Sequence, residues 1–406
     1  MNHVNSKVIL GLGAATLVAI VAATVLSTNR KPQSESAVTQ YALPTLRNQV
    51  NEVKRIKLTA AEDKPVVTLV KEANGWTVKE KGSYPADSGK LRSFLLKLQD
   101  ATLLEQKTAN EQRYAELGVE DVKSKEAKSV MVTLEGPAKP AQLIVGNFNG
   151  KGNGTFVRNP DDKQSWLAKG NLTVERDPSA WIDKAPVDIA AERMAEIVIT
   201  KPGGKSLRLF KEQPSDIGFK VADLPKGREL ADASTLNGLA STLAGLTLLD
   251  VIQADGATSP GNAEPLKAQY RTFDGLTINV EASKQDDKHY ARFSALLDQA
   301  RADAHIQTDQ AKAKAEYESK QKSDENKASP PPLAVTDPAK DREQRLAELN
   351  GELDRLNQRF ANWRLVIPPY KYANMDKSLD DVLKPATASA TKEKTPDARQ
   401  PVVKKR

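Results

Sequence analysis

The sequence contains no cysteine among its 406 residues. This absence excludes a disulfide framework, a thiolate zinc site, a cysteine nucleophile and a lipid anchor attached to cysteine. Histidine is nearly as scarce, with three residues, and no two of them have the spacing of a metal-binding pair. Aromatic residues make up only 5% of the chain, so no series of side chains is available to stack on bases. We therefore expect no metal, no cofactor and no nucleic-acid partner, although the formal net charge is +7.

Motifs of common catalytic sites are also missing, beginning with the G-x-S-x-G elbow. KPGGKS at 201–206 resembles part of a phosphate loop, but Ile199 stands where that motif needs its first glycine, and strand-like segments flank it. We interpret it as a hairpin turn. GNFNGKGNGT at 146–155 has the composition of a ligand-contacting loop and of a flexible hairpin, and we favour the hairpin. Asp87 and Asp232 recur in two similar segments, where helix capping explains them better than a catalytic pair. We predict that the protein is not an enzyme.

One long apolar run is present, from Val8 to Leu26, and it carries no charge. Nineteen residues at ~1.5 Å each give roughly 28 Å, about the thickness of one bilayer core. We predict a single N-terminal transmembrane anchor over residues 1–27, followed by a linker over 28–45. The alternative is a cleaved signal peptide, for which Val21-Ala22-Ala23 is an acceptable cleavage site, but the run exceeds the usual ~7–15-residue signal core.

Small residues recur every four positions in this run, at Gly11, Ala15, Ala19 and Ala23. This stripe would allow close approach of another transmembrane helix, and we name these residues as candidate partner contacts. The abundance of alanine in the run is the simpler explanation of the stripe, and we favour it.

The flanking charges do not indicate on which side of the membrane the body lies, because Lys7 precedes the run while Arg30 and Lys31 follow it. A short N-terminal flank before a large polar body still favours export. We expect a single-pass protein of the bacterial inner membrane with its body in the periplasm.

Two segments of the chain are closely similar, one beginning at Tyr84 (YPADSGKLRSFLLKLQDATLLE) and one at Leu230 (LADASTLNGLASTLAGLTLLD). Their apolar positions correspond at a constant offset, which indicates an internal repeat. Short alternating strands surround each segment. We predict an α+β fold of two tandem, largely antiparallel sheet-plus-helix repeats, over 46–190 and 191–384, and a disordered basic tail over 385–406.

The second predicted repeat contains an extra helix-favouring segment, which we place at 294–362 as an inserted helical hairpin. Its second half carries a coiled-coil seam with steps of three and four residues. The seam could pair with the first helix of the hairpin or with an outside partner. The candidate contact residues on it are Leu346, Leu349, Leu353, Leu356 and Phe360.

An ordered series of weak motifs completes the pattern: YAELGV at 114–119, LIVGN at 143–147 and TFVR at 155–158. With the Trp76-Thr77-Val78 strand, they resemble the bacterial family called domain of unknown function 4340. The resemblance covers about residues 50–385 as two copies, of which the second lacks a clear LGV segment. It implies a membrane-anchored envelope protein that accompanies subunits of gliding-motility-type ABC transporters, and it carries over no catalytic residue.

We therefore expect a non-catalytic, membrane-anchored periplasmic accessory protein of an envelope complex, with an ABC-type exporter and its permease as the favoured partner. The alternative is a module that binds an envelope polymer or lipid. An enzyme is the third and least favoured hypothesis.

Overall fold

The computed structural model describes residues 39–204, 206–230, 233–254, 264–322 and 330–384. The predicted anchor over 1–27, most of the predicted linker and the predicted tail over 385–406 lie outside these residues. Within the described ranges, no helix is both long and apolar enough to cross a membrane.

The described part of the chain contains strands and helices in mixed order, and every strand pair given by the register is antiparallel. The strands are β1 (Arg55–Ala60), β2 (Lys64–Glu72), β3 (Gly75–Val78), β4 (Tyr84–Pro85), β5 (Leu103–Gln106), β6 (Val130–Glu135), β7 (Ala141–Asn149), β8 (Gly154–Arg158), β9 (Ser165–Lys169), β10 (Met194–Thr200), β11 (Ser206–Phe210), β12 (Lys220–Val221), β13 (Asp250–Gln253), β14 (Leu266–Thr272), β15 (Leu276–Gln285), β16 (Lys288–Leu297) and β17 (Trp363–Ile367). The α-helices are α1 (Leu46–Gln49), α2 (Ser88–Gln99), α3 (Tyr114–Leu117), α4 (Ala233–Ala240), α5 (Gln299–Lys322), α6 (Leu333–Thr336), α7 (Pro338–Phe360) and α8 (Pro369–Met375). The expected α+β class with antiparallel sheets is confirmed.

The chain divides into two compact units that do not follow simple chain order. The first unit comprises Met1–Val66 and Arg92–Val174, and the second comprises Val67–Leu91 and Glu175–Arg406. The boundaries predicted for the two repeats stay a prediction.

The first unit contains six strands in the order β1-β6-β7-β8-β9-β5. Side chains alternate along β1, where Ile56 and Leu58 are fully buried and Lys57 between them is partly exposed. This alternation is what a period of two residues produces when one face of a strand meets the core. The part of α2 in this unit adds Leu95 and Leu98 to the buried set.

The second unit contains an eight-stranded sheet in the order β12-β11-β10-β14-β15-β16-β17-β13. Its core face carries the buried Ile197 and Ile199 of β10 and the buried Tyr270 of β14. The β3–β4 hairpin belongs to this unit, where the ring of Tyr84 meets Trp363 edge-on at 5.1 Å between centroids. Burial and the negative charge of Asp183 raise the pKa of Tyr84, against the opposing effect of Arg359.

Six strands of the second unit repeat the order found in the first. The order β10-β14-β15-β16-β17-β13 matches β1-β6-β7-β8-β9-β5 position by position. In both orders the edge strand, β13 or β5, comes earlier in the sequence than the strand beside it, β17 or β9. Both orders require the same chain path. The strand that follows the helix, β5 after α2 and β13 after α4, lies at the edge of the sheet farthest from β1 or β10.

Three local predictions from the sequence are confirmed. Residues 201–204 of KPGGKS lie in the turn after β10, which pairs with β11, and Gly203 is in the left-handed region at a φ of 62°. The glycine-rich stretch after Gly146 is the β7–β8 hairpin. Asp87 caps α2, because its Oδ1 accepts a hydrogen bond from the backbone N–H of Lys90 at 2.9 Å. Asp232 lies outside the described residues.

Candidate functional site

Three of the motifs that carry the family resemblance meet on one face of the first unit, and we call them the motif cluster (Tyr114–Val119, Leu143–Asn147 and Thr155–Arg158). Tyr114, Val119 and Ile144 form its buried centre, and Leu117 packs against them. The segment that contains α3 therefore covers this face of the β6–β7–β8 sheet.

Gly146 makes the close approach of that segment possible. A Cβ atom on Gly146 would lie 2.5 Å from the carbonyl oxygen of Leu117 and 2.7 Å from that of Gly118. Gly118 ends α3 with a φ of 67°, the left-handed conformation that glycine adopts without strain. Glycine is thus required at both positions, once for space and once for backbone conformation.

Arg158 holds the same segment from the neighbouring strand. Its guanidinium is almost fully buried, donates from Nε to the carbonyl oxygen of Val119 at 3.1 Å, and donates from Nη1 to that of Asp162 at 3.1 Å. The guanidinium also lies 4.6 Å from the centre of the Tyr114 ring. Neutral carbonyls and an aromatic face compensate the buried charge here.

The cluster thus fastens a covering segment to a sheet. Its strongest hydrogen-bonding groups, the guanidinium of Arg158 and the hydroxyl of Tyr114, are both used on backbone carbonyls, since the hydroxyl donates to Lys163 at 2.5 Å. The family motifs consequently describe the fold of this unit. Other candidate surfaces lie outside these motifs.

The strongest candidate is a helical arm, defined as α5, α6 and α7, which lies in sequence between β16 and β17. Asn357 fastens α7 to the edge of β16, since its Oδ1 accepts from the N–H of Ala295 at 2.9 Å and its Nδ2 donates to the same residue's carbonyl at 3.0 Å. Phe360 stacks on Phe293 with ring centroids 5.3 Å apart. Because β17 pairs with β16 only from His289 to Ala291, α7 covers a strand edge that would otherwise be open.

Ion pairs join α5 to the N-terminal half of α7. Arg342 binds the carboxylate of Asp303 at 2.8 Å through Nε, and Arg345 binds Asp309 at 3.2 Å and Asp341 at 3.1 Å. The bidentate contact of Arg342 holds the pKa of the Asp303 carboxyl below its usual range. These ion pairs therefore join the two helices along this stretch.

The seam predicted on α7 is covered within the second unit at its C-terminal end. Leu356 and Phe360 are buried, whereas Leu346, Leu349 and Leu353 are partly buried. Phe360 lies against Phe293 of β16, and Leu349 lines a groove together with Ile306 of α5. Gly11, Ala15, Ala19 and Ala23 lie outside the described residues.

A polar groove of about 460 Å³ lies between the arm and the sheet. Arg193 binds Asp274 at 2.8 Å and Glu352 at 2.9 Å at its base. Burial alone lowers the pKa of Arg193, but the hydrogen bonds and attraction of the two carboxylates outweigh it, so the net shift is upward. These charges are paired and attach the arm to the turn before β10 and the turn after β14.

The outer part of α5, from Ala311 to Gln321, contributes little to the protein's own core. Only Ala313 and Tyr317 are partly buried in this stretch, and the other side chains are exposed. Lysine and glutamate alternate along it at spacings of four residues, which stabilises a solvated helix by a few tenths of a kcal/mol per pair. This outer stretch is the exposed surface of the arm.

Comparison with known proteins supports the resemblance seen in the sequence. A family model described as Domain of unknown function (DUF4340) matches residues 76–270 as one span, slightly less than half of the chain. The span includes the motif cluster and ends before the helical arm. No curated protein and no solved structure matches the chain.

Proposed function

We propose that the protein is a non-catalytic accessory protein of the bacterial envelope, anchored in the inner membrane by residues 1–27, with its body in the periplasm. Its partner is a membrane complex, and the subunits of an ABC-type exporter are the class we favour. The helical arm contacts that partner through the outer part of α5.

The observation that carries the proposal is the length of the arm beyond its attachment. Asn357, Phe360 and the ion pairs of Arg342 and Arg345 attach the arm through α7 and the first half of α5. In the remaining half of α5 most side chains are exposed, and only Ala313 and Tyr317 are partly buried, in a cavity shared with Pro330 and Pro332. An isolated helix shorter than ~12–15 residues is marginal in water, so a solvated extension of this kind contributes little to stability. Contact with another protein gives the extension a role.

We further propose that the body consists of two copies of one sheet-plus-helix unit, with the arm as an insertion into the second copy. The shared strand order of the two units supports this proposal. Apart from the arm, the second copy differs from the first between β13 and β14, where the chain is too short to hold a counterpart of the 107–129 segment.

The test is a mild-detergent pull-down from cells of the tagged full-length protein, with the bound proteins identified by mass spectrometry. The comparison variant lacks only residues 312–336, replaced by a short glycine turn. This deletion is feasible because Gln310 Nε2 already lies 2.8 Å from the carbonyl oxygen of Pro338. All the ion pairs that attach the arm remain.

The proposal expects the full-length protein to recover a permease or ATPase subunit and the shortened variant to lose it. A second variant lacking residues 385–406 serves as the control and should recover the subunit fully. Recovery of the subunit by the shortened variant would remove the arm from the proposal. Recovery of nothing by any variant, together with retention on vesicles or cell wall, would favour polymer or lipid binding.

A further inference from the structure

One end of the first unit is cationic and partly apolar, and the chain reaches this end directly from residues 1–38. The N–H of Ala42 donates to Ala101, and the N–H of Leu103 donates to Gln40, both at 2.8 Å. The segment that follows the predicted anchor is therefore bonded beside the C-terminal end of α2.

A groove of about 510 Å³ opens at the same place, between α2 and the turn after β9. Lys97 stands on the α2 wall and Lys169 on the opposite wall, while Leu96 between them is 47% exposed. Asp100 is the one carboxylate among the residues that line this groove.

The tip of the β7–β8 hairpin extends this surface. The N–H of Gly170, which lines the groove, donates to the carbonyl oxygen of Asn153 in the tip at 3.0 Å. The hairpin adds the exposed Lys151 and Phe148, of which Phe148 is 40% exposed. We call Leu96, Lys97, Phe148, Lys151 and Lys169 the cationic end. Its three lysines are exposed, and none has an ion-pair partner within the described ranges.

We propose that the cationic end binds the headgroups of anionic phospholipids at the surface of the membrane that anchors the chain. The proposal rests on the proposed anchor. If the apolar run ends at Leu26, the twelve residues 27–38 span at most ~43 Å even when fully extended. The end of the unit that is joined to this short segment is also the end with unpaired lysines and exposed apolar side chains. Lysines next to apolar groups are the complement of an anionic lipid surface.

The test uses the full-length chain reconstituted in vesicles. Because the sequence has no cysteine, Ser93→Cys introduces a single labelling site for a fluorophore on an exposed wall of the groove. Quenching by nitroxides on lipid headgroups then measures contact with the bilayer. The vesicles contain phosphatidylcholine alone or with phosphatidylglycerol. We expect strong quenching only with phosphatidylglycerol, and its loss at about 0.5 M salt, where the Debye length is about 4 Å.

Charge reversal provides the matched comparison. Lys97→Glu with Lys169→Glu should reduce quenching in the anionic vesicles to the level seen with phosphatidylcholine. Lys54→Glu with Lys139→Glu reverses two exposed lysines near the opposite end of the same sheet and should leave quenching unchanged. Equal quenching in both lipids, or equal loss with both pairs, would overturn the inference.

Extraction with alkaline carbonate separates this inference from the proposed function. If the chain stays in the vesicles but shows no lipid-dependent quenching, the anchor is supported and only the proposal that the cationic end binds lipid fails. A chain that carbonate extracts has no anchor, and the inference then fails together with that part of the proposed function.

Discussion

Gly146 allows the sharpest test of the motif cluster, through the substitution Gly146→Ala. The added Cβ would meet the carbonyl oxygens of Leu117 and Gly118 at 2.5 and 2.7 Å, well inside van der Waals contact, and both are backbone atoms. The covering segment must therefore move away from β7. Overpacking of this kind lowers the free energy of unfolding by ~1–3 kcal/mol. The movement also weakens the hydrogen bond from Arg158 to the carbonyl oxygen of Val119, and a hydrogen bond to a charged group typically contributes ~1.5–3 kcal/mol. We expect a loss of about 3 kcal/mol.

Hydrogen exchange followed by mass spectrometry measures this loss locally. At ~1.4 kcal/mol for each tenfold change, exchange in peptides covering 114–119 and 143–149 should accelerate about 100-fold. Gly150→Ala is the matched control, because the nearest atom to its added Cβ is 3.9 Å away, and its effect should stay within about 0.5 kcal/mol. Equal acceleration by the two substitutions would refute the packing account of Gly146.

Three further predictions follow from contacts within single units. Replacing Arg158 by Met should lower the stability of the first unit by about 2–3 kcal/mol in urea unfolding, and replacing it by Lys should restore only part of it, because one ammonium cannot reach both carbonyls and stack on the ring. Asn357→Ala should speed exchange along β16 at least tenfold, whereas Asn350→Ala, whose side chain bonds only within its own helix, should not. Burial, with a smaller effect of a nearby lysine, lowers the pKa of His289 below its ordinary value near 6.5. The unfolded state therefore binds the proton first as the pH falls through 6.5, so the melting temperature should drop between pH 6.5 and the folded pKa, and His289→Gln should flatten that slope.

Much of the local structure could be predicted because it depends on neighbouring residues. Alternation of apolar and polar side chains marks the strands, Asp87 precedes an apolar helix at capping distance, and the glycine pair at 203–204 lies between two strand patterns. Each of these signals is contained within a few residues, where the physics of turns and caps operates.

The motif cluster could not be predicted in the same way. The contact between Gly146 and the 117–118 carbonyls joins segments almost thirty residues apart, and a glycine in a strand does not by itself reveal what approaches it. The seam on α7 shows the same limit. Its spacing indicates a buried face, but a sheet and a helix can both cover such a face, and here Phe360 stacks on Phe293 of β16 while Leu349 lines a groove with Ile306 of α5.

The central claim is that the outer part of α5 contacts a membrane transport complex. It is tested most directly by photo-crosslinking in living cells, with a photoreactive amino acid at the exposed Lys314 and, as the control, at the exposed Lys139 of the first unit. The account predicts a crosslink from Lys314 to an identified permease or ATPase subunit and none from Lys139. Crosslinks from both positions to the same proteins, or none from Lys314 in cells where the protein is membrane-bound, would contradict it.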